Sequence, residues 1–111
     1  MPGSRHSGFW RLRAAALVAA GRPEEAESML LAARDHAQRI GERSQLWRIQ
    51  ADLGQLYGEM KRDSEAEKVY SAARILIGEL ADTIPDVALR DNFHQRAMKR
   101  LSHHMRDERR H

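Results

Sequence analysis

A chain of 111 residues, 41% apolar and 32% charged, has room for one domain with a modest core. The absence of cysteine excludes a disulfide framework or a thiolate metal site and fits a reducing compartment, and no apolar run approaches the roughly 20 residues of a membrane-spanning helix. The net charge of +3 is uneven: residues 96–111 carry six basic side chains against Asp107 and Glu108, and the other 95 residues sum to −1.

Residues 1–8 are small, polar and turn-rich, which predicts a disordered segment. A first helix is expected from about Phe9 to Ala20, with Trp10, Ala14, Leu17 and Val18 at helical spacing and Gly21 closing it. Arg5, Arg11 and Arg13 followed by Ala14 to Gly21 imitate a secretory signal. The apolar run is short and mostly alanine, however, and the same residues fall in register with a repeat, so the helix is the preferred reading. Pro23 suits the first turn of a second helix, and Glu24 and Glu25 sit near its positive end. Its expected buried stripe is Ala26, Met29, Leu30, Ala33, Ala37 and Ile40, and Gly41 ends it. A third helix starts at Ser44 as N-cap, with Leu46, Trp47, Ile49, Leu53, Leu56 and Tyr57 apolar. Residues 58–63, led by Gly58, read as a turn.

Asp63 or Ser64 can cap a fourth helix whose inward residues are Ala66, Val69, Tyr70, Ala73, Leu76, Ile77 and Leu80. Thr83, Ile84, Pro85 and Asp86 break the chain, because the residue before a proline is pushed out of helical conformation. A fifth helix follows over residues 86–101, striped by Leu89, Phe93, Ala97 and Leu101. Residues 102–111 read as a basic, frayed tail.

Residues 22–34 and 62–74 share seven of thirteen positions at an offset of 40: an arginine, Glu-Ala-Glu, and Ala-Ala-Arg. A fixed offset of that size marks a helical repeat. Short connections make neighbouring helices antiparallel. The expected fold is therefore all-α: helical hairpins at about 9–42 and 44–82, plus a closing helix at 86–101.

Within the second unit, Leu53, Gly54 and Tyr57 precede Ala66, Tyr70 and Ala73. This spacing resembles the tetratricopeptide repeat, whose small residues let helices approach and whose aromatics fill the gaps beside them. Trp10, Ala14, Leu17, Ala26, Leu30 and Ala33 match in the first unit, where Arg13 replaces the expected leucine. Phe93, His94 and Ala97 match in the last helix, with His94 in place of the packing glycine. The stretch from Glu79 to Phe93 is similar to the C-terminal ends of repeat arrays in large bacterial signalling ATPases, cyclases and transcriptional regulators. The resemblance implies an α-solenoid that binds protein, without the chemistry of those larger proteins.

The candidate chemistry is thin. His94, His103, His104 and His111 lack the three-or-four spacing of a helical metal site, so they read as structural or solvated. No serine sits in a glycine elbow. The paired glutamates Glu24 and Glu25, and Glu65 and Glu67, lie at helix starts and complement the dipole. No enzyme, metal or cofactor is expected.

The resemblance places a concave face along the first helix of each pair, with Arg11 and Ala15, then Arg48, Ala51, Asp52, Gln55 and Glu59, then Asp91, Asn92, Gln95 and Lys99. Ala51 and Gln55 stand where the chaperone-tail binders of the family carry lysine and asparagine, so another protein or peptide partner is expected. Phe9, Trp10, Leu12 and Val18 exceed what one hairpin can bury, which predicts docking of the N-terminal face on a second copy of the chain or on an upstream repeat, most economically as a homodimer. The sequence reading is thus a non-enzymatic, cytoplasmic interaction scaffold of a bacterial regulatory system. The alternative is a nucleic-acid-associated regulator using the basic tail.

Overall fold

The computed structural model describes the backbone of residues 7–109 and the side chains of residues 12–102. Five helices follow in chain order: α1 (Ser7–Ala19), α2 (Pro23–Ile40), α3 (Arg43–Glu59), α4 (Asp63–Asp82) and α5 (Val87–Arg109). Among the described residues there is no strand. Residues 1–6 of the expected disordered segment lie outside the described residues, whereas Ser7 and Gly8 belong to α1.

Three turns share one geometry. Gly21, Gly41 and Lys61 adopt positive φ of 78°, 74° and 64°. The next amide reaches back to the carbonyl five residues earlier: Arg22 to Leu17 at 2.8 Å, Glu42 to Ala37 at 2.9 Å, Arg62 to Tyr57 at 2.8 Å. This bond satisfies an otherwise orphaned carbonyl and reverses the chain in two or three residues. It also bears on two expectations. The third turn falls within the expected residues 58–63 but is shorter, with Gly58 still inside α3 and Lys61 as its left-handed residue. Neither Ser44 nor Asp63 or Ser64 is an N-cap: the tight turns leave Glu42 and Arg62 at those positions, without side-chain caps.

The fourth connection is different. Thr83 Oγ1 donates to the Leu80 carbonyl at 2.6 Å, Pro85 blocks continuation, and the Asp86 carboxylate accepts the Leu89 amide at 3.0 Å. From there α5 runs on to Arg109 instead of stopping near Leu101.

The tight turns make each helix antiparallel to the next. α1 pairs with α2 and α3 with α4; α2 packs on α3, and α5 closes against α3 and α4. The body measures 44 × 40 × 18 Å, and 18 Å is the thickness of two helical layers. One layer holds α1, α3 and α5, with α3 touching both neighbours. The other holds α2 and α4.

The core lies between the layers, and its largest fully buried side chains are Tyr70, Ile49, Leu53, Ile77 and Leu101. Ala26 and Ala66, and Ala33 and Ala73, are buried pairs at the repeat offset, where helices pack through a methyl group. At Gly54 even a methyl does not fit, because a Cβ there would stand 2.6 Å from Cε1 and Cζ of the Tyr70 ring. Two stripe residues depart from expectation. Ile40 ends α2 beyond the reach of α3, and Leu89 lies one turn before α5 meets the core; both are exposed. Ala51, expected on the binding face, is buried.

Candidate functional site

Two grooves open between the helices of the α1–α3–α5 layer, one on each side of α3. The groove between α1 and α3 encloses about 460 Å³. Leu12, Ala14, Ala15 and Val18 form one wall, Asp52, Gln55, Leu56 and Glu59 form the other, and Leu30 of α2 contributes to the lining. The groove between α3 and α5 encloses about 340 Å³ and is lined by Trp47, Arg48, Leu89, Asn92, Phe93, Arg96, Ala97 and Arg100.

The expected partner-binding residues divide between them. Asp52, Gln55 and Glu59 line the α1–α3 groove, and Arg48 and Asn92 the α3–α5 groove. Asp91, Gln95 and Lys99 are exposed on α5 but line neither groove, and Arg11 lies outside the described side chains. Packing of Phe93, Ala97 and Leu101 brings Arg96 and Arg100 into the groove beside the expected Asn92, each one position after Gln95 and Lys99 and so about 100° around the helix from them. Arg96, Arg100 and Phe93 are groove residues that the repeat alignment alone did not single out for binding.

Of the four residues expected to self-associate, Leu12 and Val18 line the α1–α3 groove. Leu12 is 73% exposed, while Val18 is partly buried against the core. Phe9 and Trp10 lie outside the described side chains. The expected self-association face and the expected partner face therefore meet in one groove.

A polar latch joins the hairpins on which this face stands. The Tyr57 hydroxyl donates to Glu27 at 2.9 Å, and the Arg62 guanidinium donates to the same carboxylate at 2.9 and 3.2 Å. Arg62 also forks onto Glu65 at 2.6 and 2.7 Å and lies 4.6 Å from the Tyr57 ring centroid. The Arg62 hydrogen bonds hold the Glu27 and Glu65 carboxyls below the usual carboxylate range. Burial, reinforced by the bond to Glu27, pushes the Tyr57 hydroxyl up to about 12. The latch ties α2 to α3 and to the α3–α4 turn.

Among the described residues no cluster of three His, Asp or Glu stands ready for a metal, and no helix is long and apolar enough to cross a membrane. His103, His104 and His111 and the basic side chains of the tail lie outside the described side chains, although the α5 backbone continues through Arg109.

Stacked antiparallel hairpins with alanine seams and a glycine–tyrosine contact define a helical-repeat protein of the α-solenoid class. The tetratricopeptide repeat matches residues 8–74, more than half of the chain, and the chain belongs to that family. Its repeats are protein–protein interaction modules and are typically non-catalytic scaffolds. No curated protein and no solved structure matches the chain significantly.

Proposed function

We propose that the chain is a docking scaffold that holds a protein partner along the α1–α3–α5 face and pairs with a second copy through α1. The observation that carries this reading is the α1–α3 groove. Its walls join the exposed Leu12 and the partly buried Val18 to the polar groups of Asp52, Gln55 and Glu59. An apolar floor with a polar rim is the anatomy of a protein interface.

Arg48, Asp52, Gln55, Glu59 and Asn92 are the groove contacts in this reading. Asp91, Gln95 and Lys99 act from the groove rim, and Arg11 extends the face along α1. Phe9, Trp10, Leu12 and Val18 form the self-association surface. The similarity of residues 79–93 to bacterial regulator arrays supports a role in a bacterial regulatory system working in the cytoplasm.

Light scattering over a dilution series tests self-association. A mass of two chains that falls to one on dilution is expected, as is a monomer for Leu12→Asp with helicity unchanged. A chain that stays monomeric at every concentration refutes the pairing and leaves the α1–α3 groove to a different partner.

A further inference from the structure

We propose, building on the reading of the α1–α3–α5 face as a protein-docking surface, that the α3–α5 groove selects an acidic segment bearing large apolar residues. The groove's floor is apolar: Trp47 and Ala97 are buried, and Phe93 is partly so. Leu89, 62% exposed, extends that floor outward at one end. Its charged lining is all of one sign. Arg48 stands on α3, Arg96 and Arg100 stand one turn apart on α5, and among the described residues no aspartate or glutamate lines the groove. The Arg48 guanidinium lies 5.6 Å from the Trp47 ring centroid, so the cation and the apolar floor are one continuous surface.

Among the described residues the adjoining α1–α3 groove has the opposite character, with Asp52 and Glu59 as its charged lining. The two grooves share the α3 ridge but attract opposite partners. A basic segment is steered away from the α3–α5 groove and an acidic one toward it. Guanidiniums bind carboxylates through paired N–H donors, which favours aspartate or glutamate side chains along the Arg96–Arg100 stripe. Leu89 and Phe93, one turn earlier on α5, provide the site for a leucine or phenylalanine anchor. Phosphate would satisfy the same cations, but single-stranded nucleic acid also wants a series of exposed rings for its bases, and among the described residues this groove offers Phe93 beside a buried Trp47.

The test is fluorescence anisotropy of the full chain with four labelled probes of equal length. They are a peptide of glutamate and aspartate interleaved with leucine and phenylalanine, the same peptide with glutamine and asparagine replacing the acids, the same with lysine, and a single-stranded oligonucleotide. The acidic peptide should bind at least about tenfold more tightly than its amide counterpart and weaken with salt. The Arg96→Glu/Arg100→Glu double variant should lose that binding, Arg96→Lys/Arg100→Lys should keep part of it, and Lys61→Glu, on a distant turn, should leave it unchanged; circular dichroism confirms that each remains helical. Equal binding of the amide peptide, or loss with Lys61→Glu, overturns the proposal. Preference for the lysine peptide, abolished by Asp52→Lys/Glu59→Lys, overturns it while preserving the docking face. Tighter binding of the oligonucleotide replaces it with a nucleic-acid surface. No binding of any probe overturns it too, and the self-association experiment then judges the face on its own.

Discussion

Gly54→Ala and Gly78→Ala make the same chemical change inside two helices and should move stability in opposite directions. Replacing a helical glycine by alanine stabilises by about 1 kcal/mol through the backbone alone. Gly78 is free to gain this, because a Cβ there meets nothing within 4 Å. At Gly54 the added carbon would lie 2.6 Å from Cε1 and Cζ and 2.9 Å from Cδ1 of Tyr70. Comfortable carbon contacts begin near about 3.5 Å, so the ring must retreat by about 1 Å, and Tyr70 is only 1% exposed. Forcing such a shift in a packed core costs about 1–3 kcal/mol. Because the backbone gain is common to both variants, Gly54→Ala should melt below Gly78→Ala by about 4–12 °C, at about 4 °C per kcal/mol for a chain of this size. Thermal unfolding followed by circular dichroism measures the gap. Tyr70→Leu, which removes the ring, should close most of it when combined with Gly54→Ala. Equal melting temperatures for the two alanine variants would refute the packing argument, as would a gap that survives the loss of the ring.

Lys61→Gly relieves a left-handed residue that has a Cβ, and should raise stability by up to about 1 kcal/mol in a denaturant titration; a destabilised variant would mean that the Lys61 side chain contributes more than its backbone costs. Tyr57→Phe removes a largely buried hydroxyl that donates to Glu27, and should cost about 1 kcal/mol at neutral pH. The ordinary tyrosine value is 10.0 and folding pushes Tyr57 up to about 12, so its contribution is complete below pH 10 and lost as pH rises through 12. Stability of the parent chain should fall over that window more steeply than that of Tyr57→Phe, and parallel alkaline profiles would contradict the latch geometry. For Glu27 the sign is reversed. Its carboxyl is held below the ordinary 4.5, so its contribution is present above that value and disappears as pH falls through the lowered one. Glu27→Gln should therefore melt lower than the parent at neutral pH and converge with it in acid; a deficit independent of pH would assign the loss to shape, not charge.

The hairpins were legible because their packing needs repeat. Ala26 and Ala66, Ala33 and Ala73 sit where helices come closest, and only small residues serve there. The third turn was harder to read. Gly21 and Gly41 announce their left-handed conformation, whereas Lys61 is driven into it by the Arg62–Tyr57 backbone bond and by the packing of α3 on α4. The latch had no local signature either. Glu27 stands 35 residues from Arg62, and glutamates near helix starts read as partners of the dipole. On α5 the expected Asn92 lines a groove, whereas Asp91, Gln95 and Lys99 stand exposed outside it. The helix seats on Phe93, Ala97 and Leu101, as the repeat spacing implies, and that seating brings Arg96 and Arg100 beside Asn92. As a result the arginine-lined groove emerged only in three dimensions.

The left-handed residues at 21, 41 and 61 act as a ruler with a constant graduation of 20 residues. Two graduations make one repeat, so a 40-residue insertion at any of these turns would lengthen the grooved face by a whole hairpin and leave every later side chain on its present side. An insertion of one graduation would exchange the layers: the stripe of α3 that now lines the grooves would be sent to the outer row, and that of α4 would take its place. Growth of such a protein is thereby quantised. The face can be extended in steps of one hairpin, and an increment that is not a multiple of the graduation has to loop out at the turn instead of joining the layers.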